Sequence, residues 1–260
     1  MSQFKPAKKA LGQNFLHDQQ VIERIVAAIS PQPEDIIIEI GPGRGALTEL
    51  LLASACDLHV IEYDYALADY WQQQAEQRNN LTVHQANVLK VDFNTIAPDQ
   101  SIKVIGNLPY NISSQILINL LTANQLKDAV VMLQLEMVDR IVASPNNKTY
   151  GRLSVMLQQH FYCDKLFKVA SGAFQPAPKV DSAILRLTPR SSGHQLEYPE
   201  QFARVVKAAF AQRRKTLRNN LKKIITAEQI QEVNIDPNLR AENLSVEDFI
   251  KLANIERILS

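Results

Sequence analysis

The residues best suited to chemistry form a short polar turn at positions 107–110, directly after an apolar segment. The preceding residues 104–106 are two β-branched residues and a glycine, which favour a buried strand with room for close backbone approach. Pro109 fixes its own backbone angle and forces the residue before it to be extended. We therefore expect Asn107 and Tyr110 to be held rigidly beyond a strand's carboxyl end, where open α/β sheets keep their ligand crevices.

A turn of this kind suits an enzyme that modifies an amino group on a planar ring. The amine's lone pair is delocalised into the ring, so the nitrogen is a poor nucleophile. The side-chain oxygen of Asn107 and the backbone carbonyl of Leu108 can accept its two hydrogens and make it more nucleophilic. Tyr110 can stack on the ring, which is worth roughly 1–3 kcal/mol for a base. The alternative is a proline turn that merely ends a core strand, with Tyr110 as packing.

A glycine-rich loop at positions 41–45 follows a second apolar segment, residues 36–40. Its spacing, G-P-G-x-G, matches neither a dinucleotide-binding G-x-G-x-x-G nor a phosphate-binding loop. A further predicted strand, residues 58–61, ends at Glu62, where a carboxylate can accept hydrogen bonds from both hydroxyls of a ribose. Asn87 follows the next strand and can reach an adenine edge. Together these features favour an adenosine-containing cofactor.

The elements that must position these residues alternate between strands and helices. This order predicts an α/β fold with a mostly parallel, doubly wound sheet of seven strands, the last of them antiparallel. The predicted strands are residues 36–40, 58–61, 81–84, 102–105, 130–135, 166–169 and 183–187.

A polar segment at residues 190–198 is the best candidate for a linker, and the chain after it reads as helical. Residues 201–223 contain eight basic residues and no acid. Arg214, Arg218 and Lys222 follow one another at steps of four, which predicts a basic ridge along one helix. We interpret the ridge as a contact for nucleic acid, and the alternative is an ordinary solvated face.

The composition is that of a soluble globular protein, with 260 residues, 46% hydrophobic and 21% charged. The net charge of +1 gives no global field for a polyanion, so the local basic segments matter more. Two cysteines make no disulfide framework, and the histidines have no metal-ligand spacing. The basic amino terminus lacks the apolar core of a signal peptide. We expect a cytoplasmic protein with reduced thiols, no metal and no membrane span.

Several motifs resemble those of the small-subunit ribosomal RNA adenine dimethyltransferases, the bacterial kasugamycin-sensitivity methyltransferases and their eukaryotic relatives. The resemblance covers nearly the whole chain. It is carried by residues 12–16 (GQNFL), 39–48 (EIGPGRGALT), 107–113 (NLPYNIS), 150–155, 174–182, 209–216 and 241–245. It implies a Rossmann-like methyltransferase domain over residues 1–190, with an amino-terminal segment that covers the cofactor. It also implies a small all-helical rRNA-binding domain over residues 197–260.

The resemblance further implies S-adenosylmethionine as the methyl donor. The implied reaction is two methyl transfers to the 6-amino group of each of two adjacent adenosines in the 3′-terminal hairpin of small-subunit rRNA. The implied partner is that rRNA within a pre-assembled small ribosomal subunit, with a role in small-subunit biogenesis. We expect the enzyme to act as a monomer.

The resemblance also assigns roles to individual residues. Asn107 and Leu108 hold the target amine, while Tyr110 and Phe174 stack on its base, although spacing alone favours Phe174 as a core residue. The family usually has Asp where Asn87 stands, and an amide can still donate to the adenine ring nitrogen and accept from its amine. The implied cofactor contacts are Asn14, Leu16, Gly41, Glu62, Asn87 and Asn107. The implied RNA contacts are Arg213, Arg214, Lys215, Arg218 and Lys222.

Three alternatives remain open at this point. The large-subunit adenine methyltransferases that confer macrolide resistance share the fold and a similar catalytic turn. The amino-acid sequence at residues 12–16 and 107–111 favours the small-subunit group. A mainly non-catalytic ribosome assembly factor is a different class, and the intact cofactor and amine sites argue against it as the sole role. The third alternative is a DNA adenine methyltransferase. Those enzymes more often carry Asp or a second proline in the turn, which argues against this class.

Overall fold

The computed structural model describes residues 13–190, 196 and 198–256. The predictions for the basic amino terminus and most of the linker lie outside these residues. The chain divides into two compact units. The first contains the described residues up to Val138 together with Asp164–Pro189, and the second contains Asp139–Cys163 and the described residues from Arg190 onward.

A seven-stranded sheet is the central feature of the fold, and its strands run in the order β4-β3-β2-β5-β6-β9-β7. A separate two-stranded sheet pairs β1 with β8 in antiparallel fashion. The strands are β1 (Phe15–Leu16), β2 (Ile36–Ile40), β3 (Asp57–Glu62), β4 (Leu81–Gln85), β5 (Ile102–Asn107), β6 (Leu126–Gln134), β7 (Phe161–Val169), β8 (Phe174–Gln175) and β9 (Ser182–Pro189).

The seven-stranded sheet confirms the predicted α/β class. Strands β4, β3, β2, β5 and β6 pair in parallel, and β9 pairs antiparallel with β6. All five residues of β2 are buried, as expected for a strand covered on both faces. The chain order reverses between β2 and β5, and such a switch point is where open α/β sheets bind ligands.

The strand register explains why the predicted residues meet. Ile40 at the end of β2 lies beside Ile61 on one neighbour and beside Gly106 on the other. Glu62 and Asn107 follow these partners by one residue, as Gly41 follows Ile40. Three functional candidates from distant parts of the sequence therefore stand side by side at the carboxyl edge of the sheet.

Several helices begin at residues whose side chains cap them. Asp18 accepts a hydrogen bond from the backbone of Val21 at 3.1 Å and starts α1. Ser245 and Asp248 exchange backbone and side-chain hydrogen bonds at 3.1 Å each and form a capping box at the start of α10. The helices are α1 (Gln19–Ile29), α2 (Thr48–Ala53), α3 (Tyr65–Ala75), α4 (Ser113–Leu120), α5 (Leu135–Ile141), α6 (Arg152–His160), α7 (Pro199–Ala209), α8 (Leu217–Leu221), α9 (Ala227–Glu232) and α10 (Val246–Glu256).

The second unit has its own hydrophobic core, which α6, α7 and α10 share. Its buried members include Val155 from α6, Val205 from α7 and Phe249 from α10. This division differs from the sequence-based boundary at residue 190, because Asp139–Cys163 belong to the carboxyl-terminal unit. The apolar face of α6 is buried against later helices that lie far away in sequence.

The predicted basic ridge is wrong in its geometry. Helix α7 ends at Ala209 and α8 begins only at Leu217, so Arg214 lies in the turn between them. The amide of Asn220 donates to the carbonyls of Ala209 and Gln212, at 2.6 and 3.0 Å, and so satisfies the end of α7.

No helix of the described chain is both long enough and apolar enough to cross a membrane.

Candidate active site

A cavity of about 290 Å³ opens at the carboxyl ends of β2, β3, β4 and β5, and every residue that lines it belongs to the first unit. Its size is near the lower end of small-molecule sites. The structure brings eight of the predicted cofactor and substrate residues to this cavity. They are Asn14, Leu16, Gly41, Glu62, Asn87, Asn107, Leu108 and Tyr110.

The side chain of Asn107 has a fixed orientation. Its amide nitrogen donates to the backbone carbonyl of Asn14 at 3.0 Å. A carbonyl can only accept, so the nitrogen must face Asn14 and the side-chain oxygen remains as the acceptor for a ligand. The backbone nitrogen of Leu108 donates to the carbonyl of Met132 at 3.1 Å and holds the peptide before Pro109. The turn therefore has the rigidity that the sequence predicts.

Tyr110 is half-buried in the cavity wall and is held at its polar end. Its hydroxyl shares a hydrogen bond with the hydroxyl of Ser182 on β9, at 2.7 Å. Burial raises the pKa of Tyr110, so the ring stays neutral at physiological pH. The hydroxyl of Ser113 donates to the Tyr110 carbonyl at 3.1 Å and closes the turn onto α4.

Two glycines permit this arrangement for different reasons. Gly41 has φ of +69°, which favours glycine, and a side chain there would meet no protein atom within 4 Å, so the space beside it belongs to the cavity. A Cβ on Gly106 would instead lie 2.6 Å from the backbone oxygen of Ile40. Gly106 therefore serves strand packing between β5 and β2, and the close backbone approach that the sequence predicts is to the neighbouring strand.

Glu62 is positioned by backbone donors before any ligand binds. One carboxylate oxygen accepts from the backbone of Asp64 at 2.8 Å, and the other accepts from the backbone of Gly43 at 3.3 Å. Burial is the main cause that raises its pKa, and these two donors oppose the rise. Each oxygen keeps a lone pair for a further donor, as binding to the two hydroxyls of a ribose requires.

Asn87 lies in the cavity wall at the start of a short 3-10 turn. Its side-chain oxygen accepts from the backbone nitrogen of Leu89 at 3.0 Å. This bond orients the amide nitrogen as the available donor. Donation to an adenine ring nitrogen is therefore the better supported of the two contacts that the sequence leaves open.

Glu39 is a cavity residue that the sequence analysis did not single out. It lies near the end of β2, it is 1% exposed, and one carboxylate oxygen has no hydrogen-bond partner among the described residues. Burial raises its pKa to about 8, and the carboxylates of Glu62 and Glu49 contribute to the rise. A single acid within the apolar run of residues 36–40 is the signal that could have identified it.

The amino-terminal segment and the glycine loop pack against each other at one side of the cavity. The guanidinium of Arg44 lies 4.2 Å from the centre of the Phe15 ring, a cation–π contact. Beneath the loop, the indole nitrogen of Trp71 on α3 donates to the carbonyl of Gly43 at 3.0 Å. These contacts hold both segments in place beside Gly41.

The structure does not bring Phe174 to the cavity, so its prediction as a stacking aromatic is wrong for this arrangement. Phe174 is 2% exposed and belongs to the core cluster of the first unit. It lies on β8, opposite Leu16 of β1, and its ring is buried in the core beneath this small sheet. The alternative from spacing, a core residue, describes it correctly.

The five predicted RNA-contacting residues are all exposed in the second unit. Arg213 differs from the rest because its guanidinium pairs with the Glu242 carboxylate at 3.2 Å and donates to the carbonyl of Lys148. For the other four, we find no ion-pair partner within the described part of the chain. They are Arg214, Lys215, Arg218 and Lys222.

Among all the residues that the structure describes, no three His, Cys, Asp or Glu side chains form a group that could hold a metal ion.

Comparison with known proteins adds independent findings. A family model described as "Ribosomal RNA adenine dimethylase" matches residues 4–257. The chain is 48% identical over 253 residues to a ribosomal RNA small subunit methyltransferase A of Francisella tularensis subsp. novicida, which covers 95% of this chain and 97% of the relative.

Two solved structures share the fold over most of the chain. A dimethyladenosine transferase from Plasmodium falciparum superposes with a TM-score of 0.77 at 26% identity, and the match covers 92% of this chain and 95% of that one. The 23S rRNA methyltransferase ErmE superposes with a TM-score of 0.72 at 26% identity, over 94% and 100% of the two chains. The chain thus has a methyltransferase fold, and it belongs to the ribosomal RNA adenine dimethylase family.

Proposed function

We propose that the protein transfers methyl groups from S-adenosylmethionine to the 6-amino groups of two adjacent adenosines in the 3′-terminal hairpin of small-subunit rRNA, two to each adenosine. One observation carries this proposal. A single cavity contains a ribose-binding carboxylate, Glu62, and an amide acceptor, Asn107, each fixed by hydrogen bonds from the protein.

The residues present fit this cofactor. The buried carboxyl group of Glu39 lacks a partner on one oxygen, which suits a cationic group such as the ammonium of the methionine moiety. Gly41 leaves open space beside the backbone, and Glu62 and Asn87 present an acceptor pair and a donor for the adenosine moiety. Asn14 and Leu16 complete the wall from the amino-terminal segment. When bound, S-adenosylmethionine supplies an activated methyl group on a sulfonium.

The protein's own contribution is to orient the amine. Asn107 and the Leu108 carbonyl accept its two hydrogens and direct the lone pair along the line of transfer. Tyr110 stacks on the base, which must leave its helix to reach the cavity. No strong general base is required, because methylation makes the amine acidic enough to lose its proton to solvent.

The exposed cations of the second unit support the choice of RNA as the macromolecular substrate. Arg214, Lys215, Arg218 and Lys222 have no competing carboxylate among the described residues, so they are available to phosphate groups. Arg213 is a weaker candidate because Glu242 already neutralises it.

The similarity levels favour the small subunit as the target. The relative named for the small subunit is 48% identical, whereas the 23S rRNA methyltransferase is 26% identical. We therefore place the substrate adenosines in the small subunit, and we propose that modification occurs on a pre-assembled subunit by a monomeric enzyme.

The test uses purified small and large ribosomal subunits from cells that lack this gene, each incubated with the protein and methyl-labelled cofactor. We expect dimethylation of two adjacent adenosines near the 3′ end of small-subunit rRNA by mass spectrometry, and no label on large subunits. Label on the large subunit alone would identify the macrolide-resistance type of activity. Tight binding to the small subunit without label would identify an assembly factor that does not methylate.

A further inference from the structure

The amino-terminal segment at residues 13–17 is attached to the first unit at both of its ends and on its cavity side. Its last residues pair with β8, and the backbone of His17 donates to the carbonyl of Ala173 at 3.0 Å. Among the described residues, two of its hydrogen bonds on the cavity side reach opposite functional regions. One runs from the side chain of Gln13 to the carboxylate of Asp64, and the other joins Asn14 to Asn107, both at 3.0 Å.

Asp64 connects the first of these bonds to the ribose-binding end of the cavity. Its backbone nitrogen donates to Glu62 at 2.8 Å. One of its carboxylate oxygens accepts from the backbone of Ala66 at 3.1 Å and caps α3, and the other accepts from Gln13. The Asp64 residue is 4% exposed, and its bond to Gln13 is part-buried.

The second bond determines which end of the Asn107 amide faces a substrate. With the Asn14 carbonyl in place, the nitrogen is committed and the oxygen is presented as an acceptor. Without that carbonyl, the two orientations of the amide would differ little in energy, and a fraction of molecules would present a donor to the amine. An amide that presents its donor cannot accept a hydrogen from the target nitrogen.

We propose that Gln13 and Asp64 are positioning residues for the reaction. Their hydrogen bond docks the segment so that the Asn14 carbonyl holds Asn107 in its accepting orientation. An unbroken series of contacts then joins Glu62 to Asn107 through Asp64, Gln13 and Asn14. Occupation of the ribose end therefore orders the amine end before the base arrives. This inference rests on the proposed function, because it concerns the same transfer step.

The test is a charge-repulsion and rescue series on the full chain. Gln13→Glu places a carboxylate against Asp64 and should detach the segment. Asp64→Asn retains an oxygen to cap α3, and its amide can donate to the carboxylate introduced by Gln13→Glu, so the double variant should recover. Asp64→Asn alone completes the double-mutant cycle, so that recovery in the double variant can be assigned to the coupling between the two side chains.

The expected kinetic result is a loss in kcat with little change in KM for the rRNA substrate. We expect Gln13→Glu to reduce kcat roughly 10–100-fold, since misorientation of one catalytic group has effects of this size. The double variant should return to within about threefold of the parent. Loss without rescue, or unchanged kcat in Gln13→Glu, would overturn the proposal.

A second measurement reports on docking without activity. Amide hydrogen exchange at residues 15–17, measured without cofactor, should be faster in Gln13→Glu and normal in the double variant. Cofactor addition should slow exchange there in the parent and have less effect in Gln13→Glu. Faster exchange with unchanged kcat would show that docking does not orient Asn107 and would end the proposal. Absence of methyl transfer by the parent protein would instead count against the proposed function.

Discussion

The turn at residues 107–110, which we propose to be catalytic, and the basic segment at residues 213–222 place polar groups in opposite physical settings. In the turn, the Asn107 amide and the Tyr110 hydroxyl both have protein partners, at 3.0 and 2.7 Å. In the basic segment, the cations are exposed. The first region fixes its groups before a ligand binds, whereas the second exposes four cations, Arg214, Lys215, Arg218 and Lys222, that have no ion-pair partner among the described residues.

The difference follows from what each region has to do. Transfer to a weakly nucleophilic amine depends on angles and distances, so its acceptors must be rigid. Attraction of a phosphate backbone depends mainly on charge and falls with salt, so exact orientation matters less. The two regions should therefore respond differently to mutation, since the turn should control kcat and the basic segment should control RNA affinity.

Removal of the amide acceptor should have the largest effect. Asn107→Ala is expected to lower kcat roughly 10²–10³-fold, the usual cost of losing one preorganised polar group that stabilises a transition state. Affinity for rRNA, measured by filter binding, should stay within about twofold of the parent. Turnover at the parental rate would refute the assigned role, and an equal loss of rRNA affinity would remove the distinction between the two regions.

Neutralisation of the basic segment should give the converse result. Gln at Arg214, Lys215, Arg218 and Lys222 should weaken rRNA binding about 10–100-fold near 0.1 M salt and make its salt dependence less steep. Cofactor affinity, measured by calorimetry, should not change. A control of equal charge carries Gln at four exposed lysines of the first unit, Lys90, Lys127, Lys165 and Lys168. Because Lys168 pairs with the Asp181 carboxylate at 2.7 Å, urea unfolding first shows that the control is folded. Equal weakening in both variants would mean that only net charge matters.

Burial in the cavity should also make stability depend on pH through Glu39. Its pKa of about 8 in the folded protein exceeds the ordinary value of 4.5, so the folded protein keeps a proton that the unfolded chain loses. The free energy of unfolding should therefore fall as pH rises from about 4.5 to about 8. The side chain in Glu39→Gln does not titrate, so the variant should not lose stability in this way. The difference in free energy of unfolding between the variant and the parent should therefore grow in the variant's favour across that window, to at most roughly 4–5 kcal/mol. Urea unfolding without cofactor measures it, and a constant difference across the window would contradict the prediction.

The smallest expected effect is a difference between the variants of two adjacent arginines, Arg213 and Arg214. Arg213→Gln removes the ion pair to Glu242 and the bond to the Lys148 carbonyl, so the unfolding free energy of the protein should fall by about 1 kcal/mol. Arg214→Gln should leave stability unchanged and weaken rRNA binding a few-fold. Urea unfolding and binding at fixed salt compare the pair. Identical behaviour of the two variants would place both arginines in the same role.

Much of the first unit could be predicted because its signals are local. A β-branched run followed by glycines or a polar turn identifies a parallel strand and its carboxyl end, and parallel strands bring those ends to one edge. That rule puts Gly41, Glu62 and Asn107 at one edge of the sheet, whereas the family resemblance supplied their individual roles. The pattern does not predict Glu39 as a site residue, because a carboxylate inside an apolar strand is only an exception to that pattern.

The features that the sequence did not predict depend on contacts between distant residues. Phe174 has the same spacing whether it stacks on a base or packs in the core, and its pairing with Leu16 across some 160 positions decides the matter. The helical step from Arg214 to Lys222 is broken because Asn220 reaches back to the end of α7. Asp139–Cys163 joined the second unit through tertiary packing, which no local pattern encodes.

Trp71 gives the glycine loop a built-in optical signal. It is the one tryptophan in the sequence, and its indole nitrogen donates to the carbonyl of Gly43 while the ring is fully buried. Any ligand that shifts the loop must alter the polarity around that indole. Intrinsic fluorescence can therefore follow occupancy of the cavity in real time, in the unlabelled wild-type protein and without radioactive substrate.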